Sequence, residues 1–185
     1  MKKIVLTFGL ISGGILLAMG AVILPLCMSG VIDFDNSEIV GYSAMVLAFL
    51  LVFFGIRTYR ENVGGGAITF GRAFKVGILI TLITCAVYVV SWEILYFNFF
   101  PDFADRYAEH MIEKMRADGA SLAAVEAERK KMAAFKELYA NPLINVGITF
   151  MEVFPVGLIV TLVSAAILRR KPTPGTPSTA AAIAI

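Results

Sequence analysis

Phe54–Ile80 reads FGIRTYRENVGGGAITFGRAFKVGILI, with Gly64, Gly65 and Gly66 set between Arg57 and Arg60 on one side and Arg72 and Lys75 on the other. Two structures would use such a stretch, a phosphate cradle or a basic turn between two membrane spans. A phosphate-binding loop joins a strand to a helix and carries a Gly-Lys-Ser/Thr or spaced-glycine pattern. Here long apolar segments without two-residue alternation flank the glycines, and neither pattern occurs. The turn is therefore the better reading. The glycines supply a permissive backbone for reversal, and Thr69 is placed to start the next helix. Arg57, Arg60, Arg72 and Lys75 then become headgroup anchors, each favourable by about 1 kcal/mol against anionic lipid.

Working outward, the chain is 58% hydrophobic and only 16% charged, whereas a soluble domain is about a quarter charged. Crossing the hydrocarbon takes about 20 apolar residues in a helix. Four segments are long enough, at about 4–28, 39–56, 74–100 and 143–168. The sequence thus predicts an all-α membrane protein, with one four-span domain over 1–171 and a disordered tail over 172–185. Lys2 and Lys3, the glycine turn, and Arg169, Arg170 and Lys171 are basic, whereas the first loop holds Asp33, Asp35 and Glu38 and no cation. That asymmetry places both termini in the cytoplasm, with the protein multi-pass in the membrane. Ala18-Met19-Gly20 resembles a signal-peptidase site, but the apolar run continues past it, which favours an uncleaved first span. The net charge of +2 gives no reason to expect nucleic acid.

Residues 101–142 form the one sizeable connection and fall outside the membrane. Phe103, Tyr107, Met111 and Met115 recur at helical spacing, Gly119 breaks the pattern, and Ser121 is placed to cap a second helix. An extracytoplasmic amphipathic hairpin follows, its stripe buried by self-packing, by the membrane surface or by a partner.

Glu93 and Glu152 are the candidate functional carboxylates, since ionisable residues inside a span are functional by default. Counted from Lys75 and Arg169, both rise about 26 Å and share one level, where they could share a proton or hold a cation. The helical wheel turns both away from the small-residue faces that contain Gly77 and Gly157. Pairing with Arg106, Arg129, Lys130 or Lys131 of the hairpin is the competing role. Pro155, three residues after Glu152, predicts a kink. Gly9 and Gly13 have GxxxG spacing, for packing within the chain or for a homodimer. His110 has no partner at ligand spacing and reads as solvated. Cys27 and Cys85 form neither a metal spacing nor an expected disulfide. No catalytic residue, metal site or cofactor is expected.

The segments IRTYRENVGGGAITFGRAFKVGILITL, EKMRADGASLAAVEAERKKM and NPLINVGITFMEVFPVGLIVTLVSAAILRRK resemble a family of bacterial four-span membrane proteins catalogued as a domain of unknown function. The resemblance covers about residues 1–171. It implies the four-span layout with an outer helical insertion and brings no activity, cofactor or site residue. The function expected is non-enzymatic, through self-association or as an accessory subunit in the bilayer. The alternative is a small ion- or proton-coupled transporter using Glu93 and Glu152.

Overall fold

The computed structural model describes residues 1–171; the expected disordered tail lies outside them. Six helices follow in order: α1 (Lys2–Met28), α2 (Phe34–Asn62), α3 (Phe70–Asn98), α4 (Phe103–Ala117), α5 (Leu122–Tyr139) and α6 (Pro142–Leu168). Among the described residues the architecture is all-α, and α1, α2, α3 and α6 are long and apolar enough to cross a membrane.

Helix boundaries follow local chemistry. The Thr69 hydroxyl accepts the Arg72 N–H and caps α3, and Ser121 accepts the Ala124 N–H and caps α5. Asn141 accepts the Leu143 N–H at 3.0 Å, and Pro142 then opens α6, where its missing donor costs nothing. Gly65 and Gly66 have φ of +59° and +84°, a region that side chains avoid, while a Cβ on Gly64 would collide with the Ala67 carbonyl. The turn between α2 and α3 therefore demands all three glycines. Ile68 then forms a two-bond antiparallel bridge with Arg170, tying this turn to the end of α6.

α2 extends well beyond the apolar stretch 39–56 expected for it. Its extra turns are polar, and the first of them is covered by α4 rather than by lipid, with Phe34 against Phe103, Tyr107 and His110. α6 runs helically through Pro155.

α2 and α3 form the middle of the bundle, with α1 packed on both from one side and α6 from the other. Between α3 and α6 the fit is reciprocal. A Cβ on Gly77 would lie 2.8 Å from the Thr161 methyl, and one on Gly157 would lie 2.5 Å from the Thr81 methyl. Each glycine is the notch for the other helix's threonine, and the hydroxyls of Thr81 and Thr161 meet at 2.8 Å. This is small-residue packing as membrane helices use it. Gly9 and Gly13 do the same for α1, receiving Ile83 and Val87 of α3. Ser12 donates to the Ala48 carbonyl at 2.8 Å, fastening α1 to α2. Phe49, Val52, Ile56, Val76 and Ile80 are wholly buried and fill this end of the bundle.

Replacing Gly157 with alanine should destabilise the protein by about 1–3 kcal/mol through overpacking against Thr81 and Phe49. Gly147→Ala, where an added Cβ meets nothing within 4 Å, serves as the control in the same helix. Thermal unfolding in detergent should show a lowered midpoint for the first variant and none for the second; equal midpoints would refute the notch.

Candidate functional site

Beyond the packed end the helices spread. α1, α2, α3 and α6 enclose a chamber of about 440 Å³ that α4 and α5 roof over. Leu24 and Cys27 of α1, Met45 of α2 and Leu95 of α3 supply apolar wall. Aromatic rings share the remainder with further aliphatic side chains. Trp92 donates its indole N–H to the Tyr139 hydroxyl at 2.8 Å and meets Phe103 edge-on at 5.3 Å. Tyr96 packs edge-on against Tyr139 at 5.2 Å, behind that wall. Burial raises the pKa of the Tyr139 phenol, so it stays neutral and available for hydrogen bonding.

Glu152 stands on the chamber wall with Glu38, Tyr42 and Tyr88. Glu152 is exposed, and the chamber is a space onto which it opens. Among the described residues it has no hydrogen-bond or ion-pair partner. Glu38 accepts from the Tyr107 hydroxyl at 3.3 Å; burial, reinforced by Glu38, raises the pKa of that phenol and keeps it a donor. Lys136 is the one cation on the wall, and it is paired with Asp105.

The roof is held by charge. On α4, Arg106, His110 and Lys114 lie at successive i, i+4 positions and face the acidic first loop. Arg106 donates to the Met28 carbonyl at 2.8 Å. His110 lies between Asp33 at 3.6 Å and Asp35 at 3.5 Å, and Lys114 reaches Asp35 at 2.7 Å. Asp35 raises the pKa of Lys114, so the lysine's share of this link is fully present below the ordinary lysine range and fades only as pH rises through the raised one. Ligating atoms of Asp33, Asp35 and His110 lie within 4.8 Å of one another, as a metal ion would require. Lys114 already occupies Asp35, and the group closes as an ion-pair cluster.

These positions correct several expectations. His110 is not a lone solvated histidine; its side chain is 21% exposed and lies against Phe34 and two aspartates. The hairpin does not bury its stripe only on itself, because Phe103 and Tyr107 pack toward Phe34 and Trp92. Its cations do not meet Glu93 or Glu152 either. Arg106 pairs with Asp102 and Lys131 with Glu128. The two carboxylates do not form one site. Glu152 lines the chamber, whereas Glu93 is half-buried outside its wall, with Oε1 buried and unpartnered. At the opposite end Arg57, Arg72, Lys75, Arg169 and Arg170 are exposed, while Arg60 is half-buried and donates to the Leu168 carbonyl at 3.3 Å.

A family model described as a protein of unknown function, DUF4199, matches residues 7–170. The chain belongs to the DUF4199 family. The resemblance expected from the sequence, to a membrane family of unknown function, is thereby borne out, and the DUF4199 match takes in every span and the hairpin. No curated protein and no solved structure matches this DUF4199 chain.

Tyr139→Phe should leave the Trp92 indole N–H without its acceptor, a loss of about 1–3 kcal/mol for a buried group. Trp92 is the single tryptophan, so its emission reports the change directly, with a blue shift and a lowered unfolding midpoint expected. An unchanged emission maximum would rule out this hydrogen bond.

Proposed function

We propose that this DUF4199 protein is a non-enzymatic, multi-pass protein of the bacterial cytoplasmic membrane that binds a small amphiphile in its roofed chamber. The observation that carries this is the chamber itself, in the size range of ligand pockets and lined largely by rings and aliphatic side chains. Phe49, Val52 and Ile80 fill the bundle on its glycine-turn side. The wall offers phenols and carboxylates set among rings, groups suited to holding a molecule.

Orientation follows from charge. Lys2, Lys3, Arg57, Arg60, Arg72, Lys75, Arg169, Arg170 and Lys171 gather at the end opposite the hairpin. The excess of cations at that end supports cytoplasmic termini and an extracytoplasmic hairpin and chamber. These residues remain the proposed headgroup anchors. Self-association loses its glycine support, since Gly9 and Gly13 are occupied by α3 of the same chain, and an accessory role in a membrane complex fits a binding chamber better. Coupled transport is the second reading, favoured by Glu152 beside Pro155 on the chamber wall. It requires a path through the filled half of the bundle.

Two measurements test the proposal. With Cys27 and Cys85 replaced, a thiol at Ala123→Cys should react with a membrane-impermeant reagent in intact cells, and one at Asn62→Cys only after permeabilisation; the reverse pattern would invert the topology. A brominated alkyl amphiphile should quench Trp92 from inside the chamber. Gly20 lines that chamber with nothing within 4 Å of an added Cβ, so Gly20→Phe should fill it and reduce the quenching several-fold without loss of stability. Undiminished quenching would place the probe elsewhere.

A further inference from the structure

The charged groups on the chamber wall are Glu38, Glu152 and Lys136. Lys136 is engaged by Asp105, so the wall presents two carboxylates whose charge nothing on it cancels. Glu38 has one oxygen held by Tyr107, and the other is uncommitted among the described residues. Glu152 is uncommitted altogether. An unpaired carboxylate at this depth is costly and is stabilised by a partner that brings positive charge. The rings around it, Tyr42, Tyr88, Trp92 and Tyr139, add faces that attract a cation through their quadrupoles.

Three alternatives fit less well. An anion would meet two carboxylates. A neutral amphiphile would fill the volume and leave Glu152 as unpaired as before. A bare divalent ion needs several ligands close together, and among the described residues the one such group lies in the roof, at Asp33, Asp35 and His110. Inside the chamber the wall is too apolar to replace a hydration shell.

We propose that the chamber selects an organic cation with an apolar body, its positive centre seated between Glu152 and Glu38 and its hydrocarbon against Trp92, Tyr88 and Tyr139. This rests on the chamber being a binding site. The positive centre can be carried by a free amphiphile or by the ammonium of a lipid headgroup, since the same recognition serves both.

The test uses the whole protein in nanodiscs of an uncharged glycolipid, which offers no ammonium of its own. Three probes of similar shape are titrated against Trp92 fluorescence: tetraphenylphosphonium, tetraphenylborate and triphenylphosphine oxide. The phosphonium should bind about tenfold or more tighter than the borate. Glu152→Gln should weaken the phosphonium by about tenfold and leave the neutral oxide unchanged. Glu93→Gln, outside the wall, should change neither. Equal affinities for cation and anion, or a cation affinity indifferent to Glu152→Gln, would overturn the charge selection while leaving the chamber as a neutral amphiphile site. Failure of all three probes to bind would overturn the chamber reading itself, and this inference with it. The comparison of probes on the unaltered protein decides the matter even where Glu152→Gln folds poorly. Repeating the titration with phosphatidylethanolamine in the disc separates the two sources. Competition that Glu152→Gln abolishes assigns the site to the lipid ammonium, and undiminished binding assigns it to a free cation; either supports the selection.

Discussion

Everything else in this protein rests on the interlock of Gly77 and Thr81 with Gly157 and Thr161. Inside a bilayer the hydrophobic effect does not draw helices together, because lipid tails are as apolar as leucine. Close approach and hydrogen bonds must do it, and glycine opposite threonine supplies both. Gly9, Gly13 and Ser12 extend the same solution to α1. Because these notches all lie toward the glycine-turn end, that end closes tightly. At the other end Gly20 and Gly41 have nothing packed against them, and the chamber lies between the helices there. The chamber is thus the complement of the packing.

A spread end exposes its inner walls, and the hairpin is the answer to that exposure. α4 and α5 bring rings to the opening, and their position is fixed by Arg106 on the Met28 carbonyl and by His110 and Lys114 against Asp33 and Asp35. Exposed ion pairs are individually weak because water screens them, so no single one holds the roof. Several of them, with the ring contacts of Phe103 and Tyr107, place it over the chamber without locking it there.

The spans, the helix caps at Thr69 and Ser121 and the glycine notches were legible in the sequence, because each depends on residues near one another along the chain. The placement of Glu152 was not. Its height above the basic end can be counted, but helical rise says nothing of which neighbours stand apart at that height, and so whether Glu93 and Glu152 meet stays open in the sequence. Glu38 looks like loop charge in the sequence, since nothing local shows that α2 continues so far outward. The cluster at His110 does leave a signal, cations at i, i+4 spacing opposite an acidic loop, but it lies in opposite charge across the chain rather than in ligand spacing along it.

The bridge between Ile68 and Arg170 gives α6 a fixed end. Just past its last turn the helix is stapled to the loop that joins the two central helices, and it is gripped again where Gly157 and Thr161 meet Thr81 and Gly77. Beyond that grip it brings Ile148 and Glu152 to the chamber. A rod of 27 residues measures about 40 Å, and two fixed points on one side of the chamber set the direction of the whole rod, so the width of the chamber is governed from the packed end.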